Sequence, residues 1–194
     1  MAYTPRLNDN GILNNFHWYS NDNPYYATGY GMPNCTCYAW GRFWEVGDPL
    51  GAGVNKPNPN ELPGYYDGGS WWARVDRSVY QTGNVPQLGA VICFSDDNGG
   101  SGHVAIVEVI NSDGTIVTSN SAYGGTYFYT QTLSASNNYA WSHYTFQGFI
   151  YNPHSDDPTP PTPTGRRSKF PWAIYLHRYR QRNRLHWLFI YNML

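Results

Sequence analysis

Charge is scarce in this sequence. Only 13% of its 194 residues are Asp, Glu, Lys or Arg, about half the usual share. The formal net charge of -1 excludes a surface coated evenly in basic residues, and no nucleic-acid partner is expected. Long apolar runs are also lacking. None reaches the ~18 residues of a membrane-spanning helix. The N-terminus, Met1-Ala2-Tyr3-Thr4-Pro5-Arg6, has no apolar stretch of the kind that opens a secretory signal. Cysteine is sparse: Cys35, Cys37 and Cys93 are too few for a disulfide framework, and at least one thiol is left for other work. Aromatic surface is what the chain has instead, with 8 Trp, 18 Tyr and 8 Phe. That is enough to fill the core of one domain and does not fit a disordered chain.

The near-neutral total conceals a segregation. All thirteen acidic residues lie between Asp9 and Asp157, with only five basic residues in that body, a formal charge of -8. The other seven basic residues, from Arg166 to Arg184, lie in the last 29 positions with no acidic residue among them. Between them Pro158-Thr159-Pro160-Pro161-Thr162-Pro163-Thr164-Gly165 reads as an extended spacer. The expected organisation is a domain over 1–155, a linker over 156–168 and a basic aromatic tail over 169–194. Alternating basic residues at 178, 180, 182 and 184 suit an extended segment better than one helical stripe.

Within the body, residues 1–33 carry many turn formers and little periodicity, which predicts irregular structure. Asn34 to Val46 has apolar residues at helical spacing with Asn34 as N-cap. Ser70 to Val75 is a second short helix candidate capped by Ser70. After Pro86 the pattern turns to strands: Leu88–Phe94, His103–Ile110, Thr115–Asn120, Thr126–Leu133 and Thr145–Tyr151. Helices followed by an antiparallel sheet predict an α+β domain.

A thiol in the first turn of a helix meets unpaired backbone N–H groups and the positive end of the macrodipole, so Cys35 has the setting of a nucleophile. His103 opens a strand directly after a glycine-rich loop, where its ring can face a cleft as a base. Asn120 closes the next strand. Antiparallel pairing brings the start of one strand beside the end of the next, so Asn120 can orient the imidazole. Cys, His and Asn in that order form a thiol-hydrolase arrangement.

At these residues the chain resembles a known family. Asn34-Cys35-Thr36-Cys37-Tyr38-Ala39-Trp40-Gly41-Arg42 is similar to the nucleophile helix of CHAP domains, the cysteine- and histidine-dependent amidohydrolase/peptidases. Pro86-Gln87-Leu88-Gly89-Ala90-Val91-Ile92 and Gly102-His103-Val104-Ala105-Ile106-Val107-Glu108 resemble that family's next two motifs. Ser119-Asn120-Ser121-Ala122-Tyr123 and Phe146-Gln147-Gly148-Phe149-Ile150-Tyr151 resemble its later strands. The resemblance spans roughly residues 15–153. It implies a papain-like α+β fold and cleavage of peptidoglycan as an N-acetylmuramoyl-L-alanine amidase or peptide-bridge endopeptidase. It also implies catalysis by Cys35, His103 and Asn120, with the backbone N–H of Cys35 as an oxyanion donor. Asn120 stands where many members have Glu, and Cys37 where many have Trp.

Some members of the family bind calcium before the cysteine. Here that region offers Asp22 between Asn21 and Asn23 with no further carboxylate before Cys35, so no metal or cofactor is expected. The expected setting is a phage-encoded lysin acting on the host wall, released at lysis or carried on the particle. A virion structural or wall-binding protein that uses the domain for docking is the alternative, and a cysteine peptidase acting on proteins is another. The basic tail offers a surface for anionic wall polymers or a bilayer interface. Cys37 and Cys93 are expected in the core, since C-x-C within a helix does not converge on one metal. His17, His143 and His154 are expected on the surface or in loops. Tyr65, Tyr66, Trp71 and Trp72 are candidates for a substrate groove, with core and loop packing as the alternative.

Overall fold

A computed structural model describes residues 3–155 of the chain. The linker and tail expected over 156–194 lie outside the described residues. The central helix α3, Cys35–Gly47, begins where expected. Asn34 is extended, and its Oδ1 accepts from the Thr36 backbone N–H at 3.0 Å and the Thr36 hydroxyl at 2.8 Å. That cap satisfies one of the orphan donors of the first turn. The helix then buries Cys37, Ala39, Trp40, Phe43 and Trp44 against the sheet. Tyr38 turns the other way, onto Ile12 and Trp18. Each fully buried large side chain of this set contributes ~1.5–3 kcal/mol relative to exposure.

The sheet has six strands in the order β1-β6-β2-β3-β4-β5. They are β1 Thr82–Gly83, β2 Val91–Asp96, β3 His103–Ile110, β4 Thr115–Asn120, β5 Tyr129–Ser134 and β6 Tyr144–Ile150. All neighbours pair antiparallel. One face carries Val91, Cys93, Val104, Ile106 and Ile150 toward α3. The opposite face carries Ala90, Ile92, Phe94, Ala105, Val107 and Phe149 into a second cluster closed by Tyr139. Burial on both faces explains why β2 and β3 read as continuous apolar runs rather than alternating ones.

The α+β expectation holds. Strands β3 and β4 keep their expected bounds, while β2 begins three residues later than expected and β5 starts at Tyr129. Two features depart from the sequence reading. Residues 1–33 contain two single-turn helices, α1 Phe16–Tyr19 and α2 Pro24–Ala27, capped by Asn15 and Asn23. Trp18 of α1 crosses α3 at Gly41, where a Cβ would lie 2.5 Å from the Trp18 ring, so only glycine allows that approach. Short helix α4, Trp71–Arg74, follows directly from a 3-10 turn over Gly68–Ser70, and Ser70 makes no side-chain cap.

A buried ion pair fixes α3 against β3. Glu108 is 0% exposed; its Oε1 accepts from Arg42 Nε at 2.9 Å and its Oε2 from Arg42 Nη2 at 3.0 Å. The remaining acceptor capacity of Glu108 is used by the Ser119 hydroxyl at 2.6 Å, the Tyr3 hydroxyl at 2.6 Å and the Arg6 backbone N–H at 2.8 Å. Fork-to-fork geometry with every oxygen occupied is the condition under which a buried pair is sustained. Arg42 and Glu108 are the last residues of the cysteine and histidine motifs. The two motifs therefore encode the docking of helix on strand as well as the side chains at the other end.

Candidate active site

Cys35 and His103 line the same cavity of about 730 Å³. Cys35 is half-buried, whereas Cys37 and Cys93 are buried, as expected for core thiols. Backbone N–H groups of Val104, Thr36 and Cys35 itself act on the sulfur and favour thiolate. Burial opposes them and dominates, with the Asp67 carboxylate adding to it, so the thiol is pushed up to about 11. The helix N-terminus taken alone predicts the opposite direction. A helix end supplies ~0.3–1 kcal/mol, less than one pKa unit, and desolvation of a sulfur under aromatic walls exceeds it.

His103 is 4% exposed. Its ring is enclosed by Trp141 at 5.5 Å and Tyr144 at 5.6 Å between centroids, with Phe94 at 6.4 Å. Burial in this cage lowers its pKa to about 4, although the bond to Asn120 pulls upward. A shallow histidine would have stayed near its ordinary value. In the resting site both groups are therefore neutral at pH 7.

Asn120 sits where the strand pairing predicts. Ile106 pairs Ser119, so Ala105 lies opposite Asn120, and His103 is the next residue on that face. The His103 Nε2 and Asn120 Oδ1 are 3.0 Å apart. The Asn120 amide nitrogen donates to the Thr118 carbonyl at 3.1 Å and the Thr118 hydroxyl at 3.0 Å. With both amide hydrogens placed on Thr118, Oδ1 is the atom left to accept, so Nε2 carries the imidazole proton. That leaves the lone pair on Nδ1, which is the basic nitrogen of the ring.

The mouth of β3 is held by backbone contact. The 3-10 turn Gly68–Ser70 lies on the start of the strand, with the Gly69 N–H donating to the Ser101 carbonyl at 2.8 Å. Gly102 has φ +67, and a Cβ there would lie 2.3 Å from Gly69 Cα and 2.5 Å from the Phe94 carbonyl oxygen. Gly68, Gly69 and Gly102 meet at this contact. Their role is to bring two backbones together behind His103.

Other sequence expectations are sorted by burial. His17 is a correction: it is 2% exposed, and its Nε2 lies 3.2 Å from Asp48 Oδ2. Burial lowers its pKa while Asp48 opposes. His154 is exposed, and His143 is half-buried with its Nε2 3.6 Å from Asp96. Tyr65 and Tyr66 line the cavity. Trp71 does not; it is 0% exposed in the core and donates to the Tyr25 hydroxyl at 2.9 Å. Sequence reasoning missed Tyr129 and Tyr144 as cavity walls, because aromatic residues in strands read equally as core.

The chain is similar to known proteins by three comparisons. The family model described as CHAP domain matches residues 25–122, half of the chain, and the matched segment contains Cys35, His103 and Asn120. A Staphylococcus aureus protein described as "Probable autolysin SsaALP" is 30% identical over 119 residues, covering 59% of this chain and 40% of its own length. A second from the same organism, "Probable autolysin LDP", is 31% identical over 96 residues, covering 50% of this chain and 30% of its own. The chain thus spans only 30% to 40% of the length of these two curated relatives. A solved structure of N-acetylmuramoyl-L-alanine amidase from S. aureus is 24% identical with a TM-score of 0.45, covering 63% of this chain and 32% of that one. The cysteine motif, the histidine motif and Asn120 fall in that order within the matched segment, and the chain belongs to the CHAP domain family.

Proposed function

We propose that the chain hydrolyses an amide bond of bacterial peptidoglycan, with Cys35 as nucleophile, His103 as general base and then acid, and Asn120 as the group that orients the ring. The bond is the one between N-acetylmuramic acid and L-alanine or one in a peptide bridge. The carrying observation is a half-buried thiol and an Asn120-bound imidazole on the walls of one cavity. Family membership and the autolysin names of the two Staphylococcus relatives support wall material as substrate.

The neutral resting pair defines the sequence of proton movements. Cys35 attacks the amide carbonyl while its proton passes to His103 Nδ1, and the Nε2–H stays on Asn120. In this reading the Cys35 backbone N–H, at the open end of α3, donates to the oxyanion. Collapse expels the amine, which takes the proton from Nδ1 and leaves a thioester on Cys35. Water then attacks the thioester with Nδ1 again as base, releasing the carboxylic acid and restoring the thiol.

The setting as a phage lysin, released at lysis or carried on the particle, is part of the proposal. A bacterial autolysin is the second reading, favoured by the two relatives' names. The basic tail is proposed to hold anionic wall polymers or a bilayer surface; removal of 158–194 should then weaken wall pull-down, and unchanged pull-down would remove the tail's role. Alkylation tests the catalytic reading. Cys37 and Cys93 are 0% exposed, so one equivalent of iodoacetamide should modify Cys35. Clearing of a wall suspension should fall in step with its modification. Undiminished clearing by fully modified protein would overturn the proposal.

A further inference from the structure

The charged residues that line the cavity at Cys35 are of one sign. Asp67 and Asp96 line it together with a series of tyrosines, and neither Lys nor Arg is among its lining residues. His103, its one basic ring, is neutral at pH 7. The two carboxylates are not equivalent. Asp96 is engaged locally: its Oδ1 accepts from the Asn98 N–H at 2.8 Å and its Oδ2 lies 3.6 Å from His143 Nε2. Asp67 precedes the 3-10 turn Gly68–Ser70 without capping it, and among the described residues its carboxylate has no hydrogen-bond or ion-pair partner. It is exposed to the groove, and its charge reaches the Cys35 sulfur. The adjoining tyrosine faces suit a cation as well. The Tyr66 ring already carries one, the Arg74 guanidinium at 3.9 Å, and Tyr65 beside it is 62% exposed. Carboxylate and aromatic face together are the chemistry that recognises an ammonium group.

We propose that Asp67 makes this groove selective for amide substrates that carry a free ammonium group close to the scissile bond, such as the amine of a diamino acid in a wall stem peptide. This deepens the reading of Cys35 as the nucleophile of a wall hydrolase and rests on it. Negatively charged stems are disfavoured by the same carboxylate. Asp67 therefore acts as a specificity residue.

The test separates groove charge from hydrolysis. Cys35 is treated with 2-aminoethyl methanethiosulfonate, a cation, and with 2-sulfonatoethyl methanethiosulfonate, an anion, which share one leaving group. The rate ratio, referred to that of a small free thiol, should favour the cation about tenfold at low salt. Asp67→Asn should return it toward the free-thiol value, and salt should narrow it. Taking a ratio cancels any change in Cys35 acidity. In parallel, walls with intact amines should be digested faster than walls whose amines are acetylated, and the preference should vanish in Asp67→Asn. A reagent ratio equal to the free thiol's, a ratio unmoved by Asp67→Asn, or equal digestion of the two walls would overturn the proposal. Digestion of neither wall would fall on the hydrolase reading instead, and the reagent ratio alone would then decide whether the groove takes a cation.

Discussion

Lowering the pH from 7.5 to 3.5 should cost this protein stability through His103 in particular. The ring is 4% exposed, and burial takes its pKa from 6.5 to about 4. An unfolded chain accepts a proton there from about pH 6.5 downward, while the folded site refuses it until about pH 4. Unfolding therefore takes up a proton across that window, and stability falls as pH falls. A separation of about 2.5 units at 1.36 kcal/mol each gives about 3 kcal/mol once the pH is below both values, and about 2 kcal/mol at pH 5. His17 also has a lowered pKa, and so do the Glu45 and Asp48 carboxyls, so the total acid loss is larger. Comparison with His103→Gln cancels those shared contributions. Urea unfolding at stepped pH should show the wild type losing about 3 kcal/mol more than the variant between pH 7.5 and pH 3.5. Parallel loss in both proteins, or an NMR titration of His103 at or above 6.5, would refute the reasoning.

Three further perturbations reach the same site from different sides. Arg42→Met should destabilise by about 3–5 kcal/mol in urea unfolding, because it strands the buried Glu108 charge. The double variant Arg42→Met/Glu108→Gln should lose less than the sum of the two single changes. Gly102→Ala should cost about 1–3 kcal/mol, since its φ of +67 and a Cβ 2.3 Å from Gly69 Cα force a backbone shift. Because the shift falls at His103, the variant's wall digestion rate should drop more than its thermal midpoint would explain. Asn120→Ala leaves the His103 Nε2–H unpaired in a buried site, about 1–3 kcal/mol, and should reduce kcat about 10- to 100-fold. Asn120→Asp should instead raise the His103 pKa above about 4, which NMR titration will read.

The parts of the site set by local chemistry are legible in the order of the residues. Asn34 as a cap, Cys35 in the first turn, His103 at a strand mouth and Asn120 at the end of the next strand all follow from short-range rules. Strand pairing then brings His103 and Asn120 within 3.0 Å. What is not legible depends on the third dimension. His17 has no local signal for burial; Asp48, 31 residues away, supplies its partner. Trp71 and Tyr129 are both aromatic residues in short elements, yet Trp71 is in the core and Tyr129 on the cavity wall. The direction of the Cys35 shift escapes the sequence because a helix terminus can be read there and desolvation cannot. Arg42 and Glu108 are visible as motif ends, but their pairing across 66 positions appears only once α3 lies on β3.

Mass spectrometry of digested walls tests the hydrolase reading most directly. Wild-type protein should release fragments bearing one new amino terminus: L-alanine for cleavage at the muramoyl amide, or a bridge or stem residue for an endopeptidase. Cys35→Ala should release none while keeping the wild-type unfolding free energy within about 1 kcal/mol. The same new terminus in digests by Cys35→Ala would contradict a Cys35 nucleophile, and no new terminus from the wild type would contradict hydrolysis itself.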